Sequence, residues 1–238
     1  FGNGSGSSPL ATLRAACVIG SGAVEVELAD GQYAGSGFAG IHVTDRPFTL
    51  RSAGGDPGAC SVDLGGQPGI TVEYSVPELG RIGLHGVSFE DGLFGVEVVS
   101  AYSFAGQMLD CQVQDCAFRS CGTGLRAETA ILRISDSRVA DCQGSGVDFG
   151  MGALYMSRCR VVRNGIGAAG YSFDYRGSRI DSTEFVGNGI GFDGSSGIKQ
   201  SGPKITGQID FVDCRVDSSL GDGVRASGAC SGGLVLTN

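Results

Sequence analysis

From Ile82 to Ala226 the chain repeats one arrangement of apolar, small and glycine positions six times. Each copy is anchored by a Phe or Val standing two residues after a smaller one: Val87/Phe89, Cys116/Phe118, Ser137/Val139, Cys159/Val161, Thr183/Phe185 and Cys214/Val216. Seven and five residues before the anchors stand Ile82 and Leu84, Cys111 and Val113, Leu132 and Ile134, Leu154 and Met156, Ser178 and Ile180, and Ile209 and Phe211. A spacing of two places alternate side chains on one face, which predicts a strand. Beyond each anchor a turn leads to Gly and a further apolar pair: Val96/Val98, Leu125/Ala127, Val147/Phe149, Ile166/Ala168, Ile190/Phe192 and Val224/Ala226. Each copy therefore predicts three short strands.

Successive anchors lie 29, 21, 22, 24 and 31 residues apart. A unit this small cannot bury its apolar side alone, so the copies must stack as the coils of a solenoid. Equivalent positions then become neighbours. Three residues after the anchor the column reads Gly92, Cys121, Cys142, Asn164, Asn188 and Ser219, and Asn at such a turn can bond the backbone of the adjoining coil. Val24–Leu28 alternates cleanly, and Ile41/Val43, Phe48/Leu50, Val62/Leu64 and Ile70/Val72/Tyr74 supply two or three less regular coils, for a total of eight or nine. Ser8-Pro9 is a helix-start signal, with Leu10, Leu13, Ala16 and Cys17 on one face. It predicts an amphipathic cap over the open end of the stack. The organisation expected is a linker over 1–8, a cap over 9–19, irregular coils over 23–81, regular coils over 82–226 and the start of a further coil over 227–238. Leu234 and Leu236 look like the opening strand of that coil. An uncovered edge there calls for another copy or a flanking segment of the same protein as its partner.

The coil Ile180-Asp181-Ser182-Thr183-Glu184-Phe185-Val186-Gly187-Asn188-Gly189-Ile190 resembles the degenerate repeat of the pectin-lyase-like superfamily. That resemblance implies an all-β, single-stranded, right-handed parallel β-helix. The scaffold carries lyases, hydrolases, esterases, adhesins and inert rods alike, so function has to be sought in individual residues. The hydrolase-like pattern of an Asp pair with Gly-His-Gly is not matched: Gly197-Ile198-Lys199 stands alone and Asp193 has no neighbouring Asp. Val147-Asp148-Phe149-Gly150 is too short to match the esterase motif. The chain is more similar to surface and adhesin-like members than to the catalytic ones.

Composition narrows the partners. A net charge of -8 with only two Lys, Lys199 and Lys204, opposes binding to nucleic acid. No apolar run reaches the ~18 residues of a membrane helix, so membrane insertion is not expected. Forty-three Gly and no Trp suit one elongated domain, and the resemblance to surface members implies an extracellular or cell-surface setting. Cys116, Cys159 and Cys214 share a column but alternate with Ser137 and Thr183. They lie two coils, ~9.6 Å, apart and beyond disulfide reach. Cys121 and Cys142 fall on adjacent coils and are candidates for a bridge, and Cys17 with Cys60 could tie the cap to the early coils. With only His42 and His85, no zinc spacing appears.

Outward columns carry the candidate chemistry. Asp115, Asp136, Arg158 and Arg160 fall on one strip, Asp136 stacked on Arg158 and Arg160 on Glu184. They read either as cross-strand ion pairs or as a polar strip for a sugar polymer, with Asp115 and Asp136 as a calcium seat; no other cofactor is expected. Glu97, Arg126 and Asp148 alternate in sign, and the column is expected to continue as Gly167 and Gly191, a bare face. Tyr102, Phe104, Tyr171, Phe173 and Tyr175 could stack on sugars or cover the core, and Lys199 and Lys204 lie in the insertion over 193–204. The function expected is a non-catalytic extracellular module, structural or adhesive, contacting a polysaccharide or glycoprotein. The alternatives are a lyase-like polysaccharide enzyme using the carboxylate and arginine strip, and a pure carbohydrate-binding module.

Overall fold

The structure is a computed structural model and describes residues 11–18, 22–75, 81–100, 108–150, 152–170, 178–193, 209–217, 223–225, 230–231 and 234–237. Period-two alternation sends every second side chain inward, and the described chain follows it through three strands per turn. The first strands of successive turns, Val24–Leu28, Phe48–Ser52, Arg81–His85, Leu109–Gln114 and so on to Cys230–Ser231, form one nine-stranded sheet. The second strands, from Gly31–Ala34 to Leu234–Thr237, form another nine-stranded sheet, and the third strands, from Ile41–Thr44 to Val224–Arg225, an eight-stranded one. Each strand pairs in parallel with its equivalent one turn away. This is a single-stranded right-handed parallel β-helix, nine coils deep in its first two sheets.

The anchors stack as their spacing predicts: Phe89, Phe118, Val139, Val161, Phe185 and Val216 are register partners in sequence down the second sheet. All six are buried, and Phe89 and Phe118 stack with centroids 5.5 Å apart. The first-sheet column Ile82, Cys111, Leu132 and Leu154 is equally in register.

A sharp corner joins the first sheet to the second. One residue per coil takes the left-handed conformation there: Gly86 (φ 66), Asp115 (50), Asp136 (53), Arg158 (52), Ser182 (47) and Asp213 (49). Left-handed backbone costs a non-glycine residue roughly 1–2 kcal/mol. The corner amides keep the ladder continuous in return, Asp115 N–H donating to Ser135 O at 3.2 Å and Asp136 N–H to Ser157 O at 3.1 Å. One residue later the column alternates thiol and hydroxyl for a reason: Ser137 Oγ accepts from Cys116 N–H (3.1 Å) and Thr183 Oγ1 from Cys159 N–H (3.4 Å), one coil back.

After the second sheet, Asn164 and Asn188 form a buried ladder. Asn188 Oδ1 accepts from both Asn164 N–H (2.9 Å) and Asn164 Nδ2 (3.0 Å), and Asn164 Oδ1 accepts from Cys142 N–H (2.9 Å). A glycine ladder follows. A Cβ on Gly69, Gly95, Gly124, Gly146, Gly167 or Gly191 would lie 1.8–2.7 Å from the carbonyl oxygen of the equivalent glycine on the next coil.

That ladder corrects the third-sheet register. Val147 pairs with Ala168 rather than Ile166, Ala168 with Phe192, and Phe192 with Val224. The sequences Gly165-Ile166-Gly167 and Gly189-Ile190-Gly191 offer two glycines two apart, and the inward ladder selects the second. Ile166 and Ile190 are consequently outward and only half-buried. The column Glu97, Arg126, Asp148 continues as Ala169 and Asp193. Gly167 and Gly191 lie inside, so the bare outer face expected from them is not present.

At the first coil the helix is Leu13–Val18, and Ala15 N–H donates to Thr12 Oγ1 at 3.1 Å, making Thr12 the N-cap. Leu13 and Cys17 face the core; Ser8, Pro9 and Leu10 lie outside the described residues. At the other end Leu234–Thr237 pairs with Cys214–Asp217, so Leu236 continues the anchor column of the second sheet. The further coil opens instead at Cys230–Ser231, which pairs with the first-sheet strand Ile209–Val212.

Cys17, Cys60, Cys111, Cys116, Cys121, Cys142, Cys159 and Cys214 are buried free thiols. The Cys121–Cys142 bridge is not made: each sulfhydryl turns to the carbonyl two residues before it, Cys121 Sγ to Arg119 O (3.3 Å) and Cys142 Sγ to Ala140 O (3.7 Å). Nor is Cys17 joined to Cys60. The helix packs on Val24–Leu28 and Ile41–Thr44 of the first coil, whereas Cys60 begins a strand of the second and aligns with the Val87–Cys116 column. Burial pushes the Cys116 and Cys142 thiols up to about 12.

Two outcomes follow from this packing. Phe118→Ala or Phe185→Ala should destabilise by ~3–5 kcal/mol, read from denaturant melts, and an unchanged midpoint would mean the register is wrong. Iodoacetamide at neutral pH should leave these eight buried thiols unmodified in the native protein and label them after denaturation. Mass spectrometry would detect the contrary.

Candidate functional site

The residues singled out by the sequence sit at the corner between the first and second sheets and on the adjoining second-sheet strands. Asp136 and Arg158 occupy the same left-handed corner on adjacent coils, one rung apart, which aims both side chains outward side by side. Arg158 Nε and Nη2 donate to Asp136 Oδ1 and Oδ2, each at 2.7 Å. This two-point contact holds the Asp136 carboxyl below its usual range. Arg160 pairs with Glu184 at 3.3 Å, its register neighbour on the next strand. Asp115 occupies the same corner column one coil before Asp136, but its Oδ2 accepts from Gln114 Nε2 (3.1 Å) and faces His85 Nε2 at 3.5 Å. The four candidates are thus neighbours in the fold, yet each is engaged by a different partner. Both Asp136 oxygens are taken by Arg158, which disfavours a calcium seat, and among the described residues no group of three or more His, Cys, Asp or Glu could hold a metal ion.

The same bracing recurs elsewhere. Arg163 Nε and Nη2 meet Asp141 Oδ1 and Oδ2 at 2.7 and 2.8 Å at the corner after the second sheet. On the third sheet Arg126 reaches Glu97 (3.1 Å), Glu128 (2.6 Å) and Asp148 (3.8 Å). The Asp141–Arg163 pair is legible in the sequence as a column two residues after the anchors.

A second feature went unread. Along the outer face of the first sheet one column carries Gly83, Gln112, Arg133, Tyr155 and Arg179, and the next carries His85, Gln114, Ser135, Ser157 and Asp181. The Arg133 guanidinium lies 4.6 Å from the centroid of the Tyr155 ring, a cation–π contact, while its Nε donates to Asp110 Oδ1 at 3.1 Å. Arg179 Nη2 donates to Asp181 at 3.3 Å. A concavity of about 450 Å³ spans this region, and a second of about 480 Å³ extends it past Gly83 and His85 to Arg51 and Glu27. The two share Gln112 and Gln114. The signal available was Tyr155, an aromatic on an outward column of amides and charges.

Tyr102, Phe104, Tyr171, Phe173, Tyr175, Lys199 and Lys204 lie outside the described residues. Compared with protein-family models, curated proteins and solved structures, the chain gives no match.

The corner pair sets a pH expectation. With its folded pKa lowered, Asp136 adds stability above the ordinary aspartate value of 3.8 and gives it up as acid protonates the folded carboxylate. Asp136→Asn should therefore melt slightly lower than the parent at neutral pH, and the gap should close as the pH falls below the ordinary aspartate value. Melting curves across pH check this, and a gap that widened in acid would reverse the assignment.

Proposed function

We propose that the chain is a non-catalytic extracellular β-helix module of a cell-surface, wall or appendage protein, of the pectin-lyase-like and adhesin-like kind. It serves as a rigid scaffold that makes contacts through its sides and, with other copies or flanking segments, through its ends. The observation that carries this reading is the engagement of the candidate acid and base groups with one another. General acid–base work needs a group within reach of substrate and poised near the working pH. Asp136 is instead held ionised by a two-point guanidinium contact, and Arg160 is paired with Glu184. Ladders of this kind tie coil to coil and stiffen a scaffold. Acidic charge with few Lys suits a soluble surface segment. The buried thiols act as small apolar fillers, so the core does not rely on oxidation.

Incubation with a panel of acidic polysaccharides should give no unsaturated-product absorbance and no reducing ends above a heat-treated control. Turnover that Asp136→Asn or Arg158→Gln abolishes would replace this reading with the lyase-like one.

A further inference from the structure

The outer face of the second sheet gathers positive charge at mid-stack. Arg119, Arg138 and Arg160 stand on three successive coils and frame Ala117, Ala140 and Val162, which share that outer face yet are buried, so that the long arginine stems cover them. Glu90 and Glu184 close the patch at its two ends, reaching Arg119 at 3.6 Å and Arg160 at 3.3 Å. The corner pairs on either side, Asp136 with Arg158 and Asp141 with Arg163, cancel. Arg138 lies half-buried at the centre of the patch, and among the described residues it makes no ion pair or hydrogen bond. A guanidinium is all donors and always charged, so this one calls for a carboxylate from outside.

The third sheet carries the opposite surplus on neighbouring rungs. Its outer columns run Thr71, Glu97, Arg126, Asp148 and Glu73, Val99, Glu128, which sets four carboxylates against one guanidinium. Arg126 is shared among three of them: it holds Glu97 at 3.1 Å and Glu128 at 2.6 Å, but Asp148 only at 3.8 Å, beyond hydrogen-bond length. Two faces of one molecule thus offer complementary charge. Both repeat every ~4.8 Å, because both belong to the same stack. A second copy laid alongside therefore matches the pitch rung for rung, a property that an unrelated globular partner lacks.

We propose that copies of this chain associate side by side, the Arg119, Arg138 and Arg160 patch of one seated on the Glu97, Glu128 and Asp148 patch of the next, with Arg138 received by the neighbour's Glu128 and Asp148. The contact joins two different faces, so every added copy leaves one face of each kind open for the next. It depends neither on the scaffold reading nor on association through the ends. A strip a few strands wide is smaller than the ~800 Å² per partner of a stable complex, so the association is weak, reversible and governed by charge.

Sedimentation of the full chain at concentrations up to about 0.5 mM tests it. The weight-average mass should rise with concentration in about 20 mM NaCl and return to that of the monomer in about 0.5 M NaCl, where the charges are screened. Small-angle scattering should show the cross-section growing with the mass. Arg138→Glu and Glu128→Arg should each weaken association at least about tenfold. Mixing the two variants should restore it, because one keeps an intact acidic face and the other an intact basic one. Arg133→Gln on the first sheet should change nothing. A mass independent of concentration at low salt, association that survives high salt, growth in length alone, an equal loss from Arg133→Gln, or a mixture no more associated than its components would each overturn the proposal. The salt and scattering measurements need only the parent protein, so they stand even if a variant misfolds.

Discussion

Every described part of this molecule answers to one constraint: parallel backbones stacked in register, so that each residue lies ~4.8 Å from its equivalent in the coils before and after it. Side chains are then selected as columns. A corner residue must tolerate left-handed backbone and still donate its N–H to the next coil, and Asp, Ser, Arg and Gly fill that column in turn. An Asn at the second corner must serve two coils at once, as Asn188 Oδ1 does for Asn164. A residue of the glycine ladder must have no side chain at all, because the carbonyl of the next coil occupies the place a Cβ would take. Even the alternation of Cys with Ser and Thr obeys the rule, the hydroxyls accepting the N–H of the cysteine one coil back.

The same constraint governs charge. Like charges held one rung apart repel with no room to evade each other, and a chain of net charge -8 cannot stack its acids at random. Alternation is its commonest answer: Asp136 with Arg158, Asp141 with Arg163, Arg160 with Glu184, and Arg126 between Glu97 and Asp148. Asp115 beside Asp136 and Asp63 beside Glu90 are acids that adjoin, each flanked by His85, Arg158 or Arg119. Where two arginines do adjoin, Arg138 beside Arg160, the carboxylate of Glu184 stands on the far side of Arg160. Exposed pairs of this type are worth little singly. Their repetition along a stack whose backbone is already fixed reduces the side-chain entropy each must surrender.

The fold was legible because its strongest signals are local and repeated. Anchors, the two-apart first strands and the Asn column all fell into the register read from spacing, since Phe, Leu and Asn tolerate few alternative environments in such a coil. The third sheet slipped by two residues at Ile166 and Ile190 because Gly-Ile-Gly is symmetric to a reader of patterns, and only close approach between coils tells one glycine from the other. Leu234 and Leu236 misled for a similar reason: two apolar residues two apart open a first-sheet strand and equally fill a second-sheet one. The candidate strip was legible as a set of neighbours but not as a set of pairs, because a sequence column records a position around the coil and not the direction in which a side chain reaches along the stack. The concavity along the first sheet escaped because it is set by how side chains of several neighbouring first-sheet strands and one turn project together, which no single column contains.

The uneven spacing of the anchors has a place in the fold. In the six anchored coils the first sheet reaches the second in a constant number of residues, as Ile82 to Phe89 and Leu154 to Val161 illustrate, whereas the earlier coil takes a longer path from Phe48 to Val62; the second reaches the third almost constantly, from Phe118 to Leu125 and from Phe185 to Phe192. The return from the third sheet to the next first strand absorbs nearly all the variation, short between Leu125 and Leu132 and long between Phe192 and Ile209. Among the anchored coils two corners of the triangle are therefore fixed in length and one is free. Foreign segments grafted at that free corner would be carried past the stack without shifting a single rung, so the scaffold can diversify what it displays along one edge while its interior stays unchanged.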